Sequence, residues 1–97
     1  MTEHFTVERE DGAARGRYVI RLPEGREAEL TYGRQDATTL VADHTFVPPE
    51  MRGKGLAELL VARLIADARS EGNKIVPLCS YVALQFRRHP DWADLRA

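Results

Sequence analysis

The sequence predicts an α+β fold (α/β in some schemes) in which a mixed, mainly antiparallel sheet of about five strands packs against two main helices. The first half of the chain alternates apolar and polar residues, which is typical of strands with one buried face. The second half repeats apolar residues at spacings of three and four, which is typical of an amphipathic helix. Strands followed by helices in so short a chain favour a two-layer arrangement.

Size and composition predict one domain over residues 1–97, since either half alone would be too short to close a core. The 14 Lys and Arg residues balance 15 Asp and Glu residues, which argues against nucleic acid or an acidic membrane as the main partner. No apolar run is long enough to span a membrane and no secretory leader is present, so we expect a cytoplasmic protein. The single cysteine, Cys79, excludes an internal disulfide and a multi-cysteine metal site, and no metal is expected.

Three short strands are predicted in the first third of the chain, joined by turns at residues 11–12 and 23–25, and a third turn is predicted at residues 33–36. Connections this short permit only antiparallel neighbours. A fourth strand, rich in β-branched residues, is predicted over residues 38–47. It stops at Pro48 and Pro49, which have no N–H to give to a sheet.

The helical pattern covers residues 55–71, and Gly72 with Asn73 supplies residues that tolerate a left-handed helix end. The apolar run 75–79 predicts a fifth strand, which can lie parallel to the fourth because a helix connects them. Pro77 lies within this run and makes its pairing incomplete. Ser80 is the expected N-cap of a second helix that ends before Pro90.

The segment best suited to bind a ligand joins the fourth strand to the long helix and contains Arg52, Gly53, Lys54 and Gly55. Free N–H groups at a helix start favour an anion, glycines allow close approach of a phosphate, and the two cations add positive charge. A plain strand-to-helix turn is the alternative. The segment matches neither the Walker A pattern nor the G-x-G-x-x-G pattern with its acidic partner.

Residues 52–57, Arg-Gly-Lys-Gly-Leu-Ala, give an R-x-x-G-x-A pattern that resembles the acyl-CoA diphosphate loop of the GNAT superfamily of N-acetyltransferases. The flanks, residues 44–49 before the loop and 79–81 after the fifth strand, look like those of minimal single-domain GNAT-like proteins with a glycine loop and a cysteine. The resemblance is specific over residues 38–90. It implies a GNAT-like sheet whose last two strands splay apart to admit the pantetheine arm.

The resemblance further implies an acetyl-CoA-dependent N-acetyltransferase that acts on an unidentified amine acceptor, either a small molecule or a protein. Acetyl-CoA or CoA is the expected cosubstrate. Main-chain groups of Phe46 and Val47 would contact the pantetheine. The diphosphate would bind the loop residues Arg52, Gly53, Lys54, Gly55, Leu56 and Ala57.

Three side chains are candidates for catalysis. His44 suits a general base at neutral pH, with a half-buried strand histidine as the alternative. Cys79 is a candidate nucleophile, a thiol that lines the pocket, or a small core residue. Tyr81 is a candidate acid for the leaving thiolate, as in many GNAT enzymes, or an aromatic residue on a helix face.

The sequence departs from typical GNAT enzymes between its first two strands, where a tight turn replaces the one or two helices that build much of the acceptor site. The acceptor side is therefore expected to be open. This leaves two further hypotheses beside the enzyme: a non-catalytic CoA or acyl-CoA binding module, and a small structural domain that binds a partner.

Overall fold

The computed structural model describes residues 4–97, which form one sheet with the strand order β1-β2-β3-β4-β5. The strands are β1 (Val7–Asp11), β2 (Arg15–Arg21), β3 (Glu27–Asp36), β4 (Thr39–Phe46) and β5 (Lys74–Pro77). The helices are α1 (Leu56–Glu71) and α2 (Ser80–Arg88), with shorter 3₁₀ segments at Pro23–Gly25, Pro49–Met51 and Pro90–Leu95. Strands β1 to β4 are antiparallel neighbours and β5 is parallel to β4, so the predicted fold class is confirmed.

The turn predicted at residues 33–36 is wrong, because β3 continues to Asp36 and the chain turns at residues 37 and 38. Gly33 is paired on both sides, with Arg15 in β2 and Val41 in β4. Asp36 Oδ1 accepts a hydrogen bond from the Thr38 N–H at 2.9 Å, which closes the actual turn. Pairing by two neighbouring strands thus overrides the turn-forming composition.

One hydrophobic core joins both helices to one face of the sheet. Helix α1 packs against β1, β2 and β3, whereas α2 packs against β4 and β5. Each fully buried leucine of α1 contributes about 1.5–3 kcal/mol to folding. The buried residues of α1 are Leu56, Leu60, Val61, Leu64, Ile65 and Ala68.

The opposite face of β1 to β3 is a charged face covered by ion-paired side chains. Val19 lies on this face and is fully buried, although it is outside the helix-covered core. Two arginines on either side of it, Arg17 and Arg21, form ion pairs across the strands with Glu10, Glu27 and Glu29. The long side chains of this network therefore shield Val19 from water.

Strands β4 and β5 part after Ala42. Their pairing runs from Thr39 opposite Lys74 to Ala42 opposite Pro77, and residues 43–46 of β4 continue beyond it. The fifth strand is thus shorter at its end than the predicted 75–79. Pro77 has no N–H to extend the ladder, so the chain turns, and the Cys79 N–H donates back to the Ala42 carbonyl at 2.8 Å.

A β-bulge follows the point where the strands part. On the β3 side, Tyr32 is opposite Ala42 and Thr31 is opposite His44, so Asp43 is an extra residue in β4. The bulge reverses the alternation of side chains along the rest of β4. It therefore determines which face of the sheet each following residue occupies.

Both helix starts differ slightly from the prediction. Gly55 is the N-cap of α1 rather than its first residue, and its carbonyl accepts from the Leu59 N–H at 3.1 Å. Ser80 as N-cap is wrong, because Cys79 holds that position with an extended backbone and Ser80 begins α2. Gly72 ends α1 with a φ of 72°, as predicted. Within residues 4–97, no helix is both long and apolar enough to cross a membrane.

Candidate functional site

The loop between β4 and α1 contains two glycines in the left-handed region. Gly53 has a φ of 83° and Gly55 a φ of 79°, a conformation that residues with a Cβ rarely adopt. A Cβ built at either position would meet no atom within 4 Å. The backbone of this loop therefore faces open space on the side from which a bulky group could approach.

Two adjoining cavities lie beside this loop. The loop cavity, of about 180 Å³, is lined by Val47, Met51, Arg52, Gly53, Gly55, Leu56, Ala57 and Glu58. The strand-end cavity, of about 240 Å³, is lined by Thr45, Phe46, Val47, Arg52, Ala57 and Tyr81. All eight residues predicted for the cofactor except Lys54 line one or both of these cavities. Lys54 lines a third, open cavity of about 580 Å³, together with His4, Phe5, Gly55 and Leu59.

Several polar groups of the predicted loop already have partners. The Arg52 N–H donates to the Pro49 carbonyl at 3.3 Å, and the Arg52 Nε donates to the Val47 carbonyl at 3.1 Å. The positive charge of Arg52 thus lies across the end of β4. The amides that follow open α1, where the first N–H groups of a helix have no acceptor within the helix.

Cys79 lies at the start of α2, against the splayed end of β4. Its Sγ donates to Thr45 Oγ1 at 3.5 Å, and the residue is partly buried against the core. Partial burial raises the pKa of the thiol, but the Thr45 hydroxyl and the N–H groups of Val82, Tyr81 and Thr45 together outweigh it. The pKa of Cys79 is therefore lowered below the range of an ordinary cysteine.

Tyr81 is the second residue of α2 and lies in its first turn. Its hydroxyl donates to Glu58 Oε1 in the first turn of α1, at 3.1 Å. Burial and this carboxylate raise the pKa of Tyr81 to about 12. The phenol therefore stays protonated throughout the neutral range.

His44 is not brought together with Cys79. Because of the bulge, His44 is opposite Thr31 and shares its face of the sheet, whereas Thr45 is opposite Leu30 on the helix-covered face. His44 is exposed, so the alternative of a half-buried strand histidine is wrong. Beside it, Asp43 accepts a hydrogen bond from the Thr31 hydroxyl at 2.6 Å and pairs with Arg15.

Two partners of the predicted site residues were not singled out by sequence reasoning. Thr45 lies within residues 44–49, which flank the loop, but its contact with the Cys79 thiol depends on the bulge at Asp43. Glu58 follows the glycine loop, yet an acidic residue in the first turn is also an ordinary helix signal. Among residues 4–97, no three His, Cys, Asp or Glu side chains are grouped as a metal site requires.

Comparison with known proteins agrees with this architecture. The family described as GCN5-related N-acetyl-transferase matches residues 17–95, most of the chain. Among solved structures, a Staphylococcus aureus protein described as GCN5-like and as a candidate N-acetyltransferase has a TM-score of 0.71 and 26% sequence identity. That match covers 93% of this chain and 87% of the other.

A second solved structure shares the fold. It is a protein from Klebsiella pneumoniae subsp. pneumoniae described as a candidate acyl-CoA N-acyltransferase, with a TM-score of 0.57 and 20% identity. The match covers 78% of this chain and 56% of that protein. The family match over residues 17–95 shows that the chain belongs to the GCN5-related N-acetyl-transferase family.

We predict that Thr45 keeps Cys79 more acidic than an ordinary cysteine. In Thr45→Val, the midpoint of a pH titration of iodoacetamide alkylation shifts upward. The Thr45 hydroxyl, which accepts from the protonated thiol, can donate to the thiolate once the thiol proton is lost, and valine cannot. The matched control is Thr31→Val, whose hydroxyl bonds Asp43 on the other face of the sheet and whose midpoint should equal the wild type. Equal midpoints in all three proteins would contradict the prediction.

Proposed function

We propose that this protein is an acyl-CoA-dependent N-acetyltransferase that takes acetyl-CoA as its acyl donor. The observation that carries the proposal is the glycine loop, in which two left-handed residues open a helix beside two parting strands. Family membership supports an acyl-CoA cosubstrate. The choice of acetyl-CoA, the amine acceptor, a single domain over residues 1–97 and a cytoplasmic location are our predictions, as is the expectation that neither nucleic acid nor membrane is a partner.

The loop suits a diphosphate on three physical grounds. The first amides of α1 have no acceptor within the helix, the helix dipole favours negative charge there, and Arg52 lines the same cavity as these residues. The open space above Gly53 and Gly55 leaves room for phosphate oxygens to approach the backbone. We assign residues 52–57 to the diphosphate, with Arg52 and Lys54 as supporting cations.

The splayed strands suit the arm that leads from the diphosphate to the thioester. Beyond Ala42, the edge of β4 toward β5 is free of strand pairing within the described chain, so its backbone groups can bond amides of a pantetheine. Phe46 and Val47 lie at this end of β4 and line the strand-end cavity. We therefore assign them to the pantetheine.

The reaction we propose is direct attack of an amine nitrogen on the thioester carbonyl. The new C–N bond forms as the C–S bond breaks, the amine proton passes to a base and the thiolate leaves. His44 is assigned as the base, since its side chain is exposed on the face of the sheet opposite the two helices, where neither helix blocks a large acceptor. Tyr81 is assigned to the sulfur as a hydrogen-bond donor, because a phenol with a pKa of about 12 is a weaker acid than an ordinary thiol near 8.5.

Cys79 favours a second route to the same product. Its lowered pKa raises the share of nucleophilic thiolate at neutral pH. The Cys79 sulfur would attack the thioester carbonyl and CoA would leave as a thiolate. The amine would then attack the acetyl-cysteine, lose a proton to a base and release the Cys79 thiolate.

The alternative class is a module that binds CoA or acyl-CoA without turnover. That alternative is supported by the charged face of the sheet. Ion-paired side chains cover this face, and no helix of residues 4–97 forms an acceptor site there.

We predict that Gly55→Val weakens CoA binding by about tenfold or more, because a β-branched side chain fills the space that the phosphates need. The matched control is Gly72→Val at the other end of α1. Gly72 has nearly the same φ and equally open surroundings, so it carries the same backbone strain away from the site. Isothermal titration of CoA measures both. Equal affinity losses in the two variants would refute the loop assignment.

We predict that the wild-type protein transfers labelled acetyl from acetyl-CoA to at least one member of a panel of primary amines and lysine peptides. Intact mass after exposure to acetyl-CoA alone, compared with Cys79→Ala, separates the two routes, since only the covalent route gives an acetyl adduct that depends on Cys79. CoA binding without transfer would favour the binding module, and absence of CoA binding would defeat both functions.

A further inference from the structure

The first turns of α1 and α2 are tied together by one hydrogen bond. Tyr81 Oη donates to Glu58 Oε1 at 3.1 Å, and the two residues come from segments that follow β4 and β5 respectively. The bond therefore spans the region where the two strands part.

The two residues of this bond line different cavities of the site. The cavities share Val47, Arg52 and Ala57, but Glu58 lines only the loop cavity and Tyr81 lines only the strand-end cavity. A ligand that occupies both cavities, with a diphosphate at the loop and a thioester at the strand ends, would therefore contact a wall formed by Glu58 in one cavity and a wall formed by Tyr81 in the other.

The bond also uses the single proton that the Tyr81 hydroxyl can donate. While this hydroxyl donates to Glu58, it cannot donate to a thioester sulfur. The carboxylate of Glu58 is in addition a negative charge on the wall of a cavity whose other features favour an anion.

We propose that the Glu58 and Tyr81 pair is a latch, which the pantetheine arm of a CoA ester opens on entering and whose opening frees the Tyr81 hydroxyl for the sulfur. This inference rests on the proposed function. Glu58 then lowers the affinity for ligands that carry the arm more than for ligands that carry the diphosphate alone.

The test compares CoA with 3′-phosphoadenosine 5′-diphosphate, which has the diphosphate but no pantetheine arm. Titration calorimetry gives the two dissociation constants and hence their ratio, nucleotide over CoA. Removing the charge of Glu58 affects both ligands, whereas removing the latch affects only CoA. We expect Glu58→Ala to raise the ratio about three- to tenfold, which is the size of effect that the net strength of one typical exposed hydrogen bond gives.

Two controls isolate the bond from the charge. In a Tyr81→Phe background, Glu58→Ala should leave the ratio unchanged, because the latch is already absent. Glu50→Gln removes a carboxylate from the 3₁₀ segment before the loop, where Glu50 pairs with Arg26, and should also leave the ratio unchanged. Glu58→Gln, whose amide oxygen is a neutral acceptor, should raise the ratio less than Glu58→Ala.

Equal changes in both affinities on Glu58→Ala would overturn the latch, as would the same change in ratio with and without Tyr81→Phe. Failure of wild-type protein to bind CoA is a separate result. It would overturn the proposed function, and this inference with it, before any variant is compared.

Discussion

The site depends on one constraint, the parting of β4 and β5 after Ala42. Pro77 cannot extend the parallel ladder, so β5 stops while β4 continues through residues 43–46. The glycine loop follows one strand and Cys79 follows the other. If the two strands stayed paired to their ends, the glycine loop and the Cys79 segment would still be present, but no gap between β4 and β5 could admit a pantetheine arm.

Parallel strands also bring two helix starts to the same edge of the sheet. Helix α1 begins after β4 and α2 begins after β5, so the positive dipole ends of both helices lie at the carboxyl ends of these strands. A diphosphate or a thiolate at this edge of the sheet would be stabilised by both. The pKa of Cys79 is lowered first by the Thr45 hydroxyl and then by the N–H groups of Val82 and Tyr81, which belong to the start of α2. The amides after Gly55 favour an anion at the start of α1, which means that one feature of topology would serve both the diphosphate and a thiolate.

The glycine loop, the parallel crossover and the early end of β5 at Pro77 could be predicted from the sequence. Each depends on glycine, proline or a helical repeat, which have strong local preferences. The sequence could not reveal the bulge at Asp43. Simple alternation would place His44 on the same face as Leu40 and Ala42, whereas the extra residue turns His44 to the charged face and Thr45 toward Cys79. The contact between Glu58 and Tyr81 joins residues 23 positions apart, so it depends on helix packing that no local pattern encodes.

Amide chemical-shift mapping by NMR tests the central claim most directly, because it locates bound CoA without assuming any residue role. Titration of CoA into ¹⁵N-labelled protein should shift the amides of residues 53–57, together with those at the parted ends near residues 43–46 and 79–81. Shifts confined to the charged face of β1 to β3, or an unchanged spectrum at the glycine loop, would contradict the account.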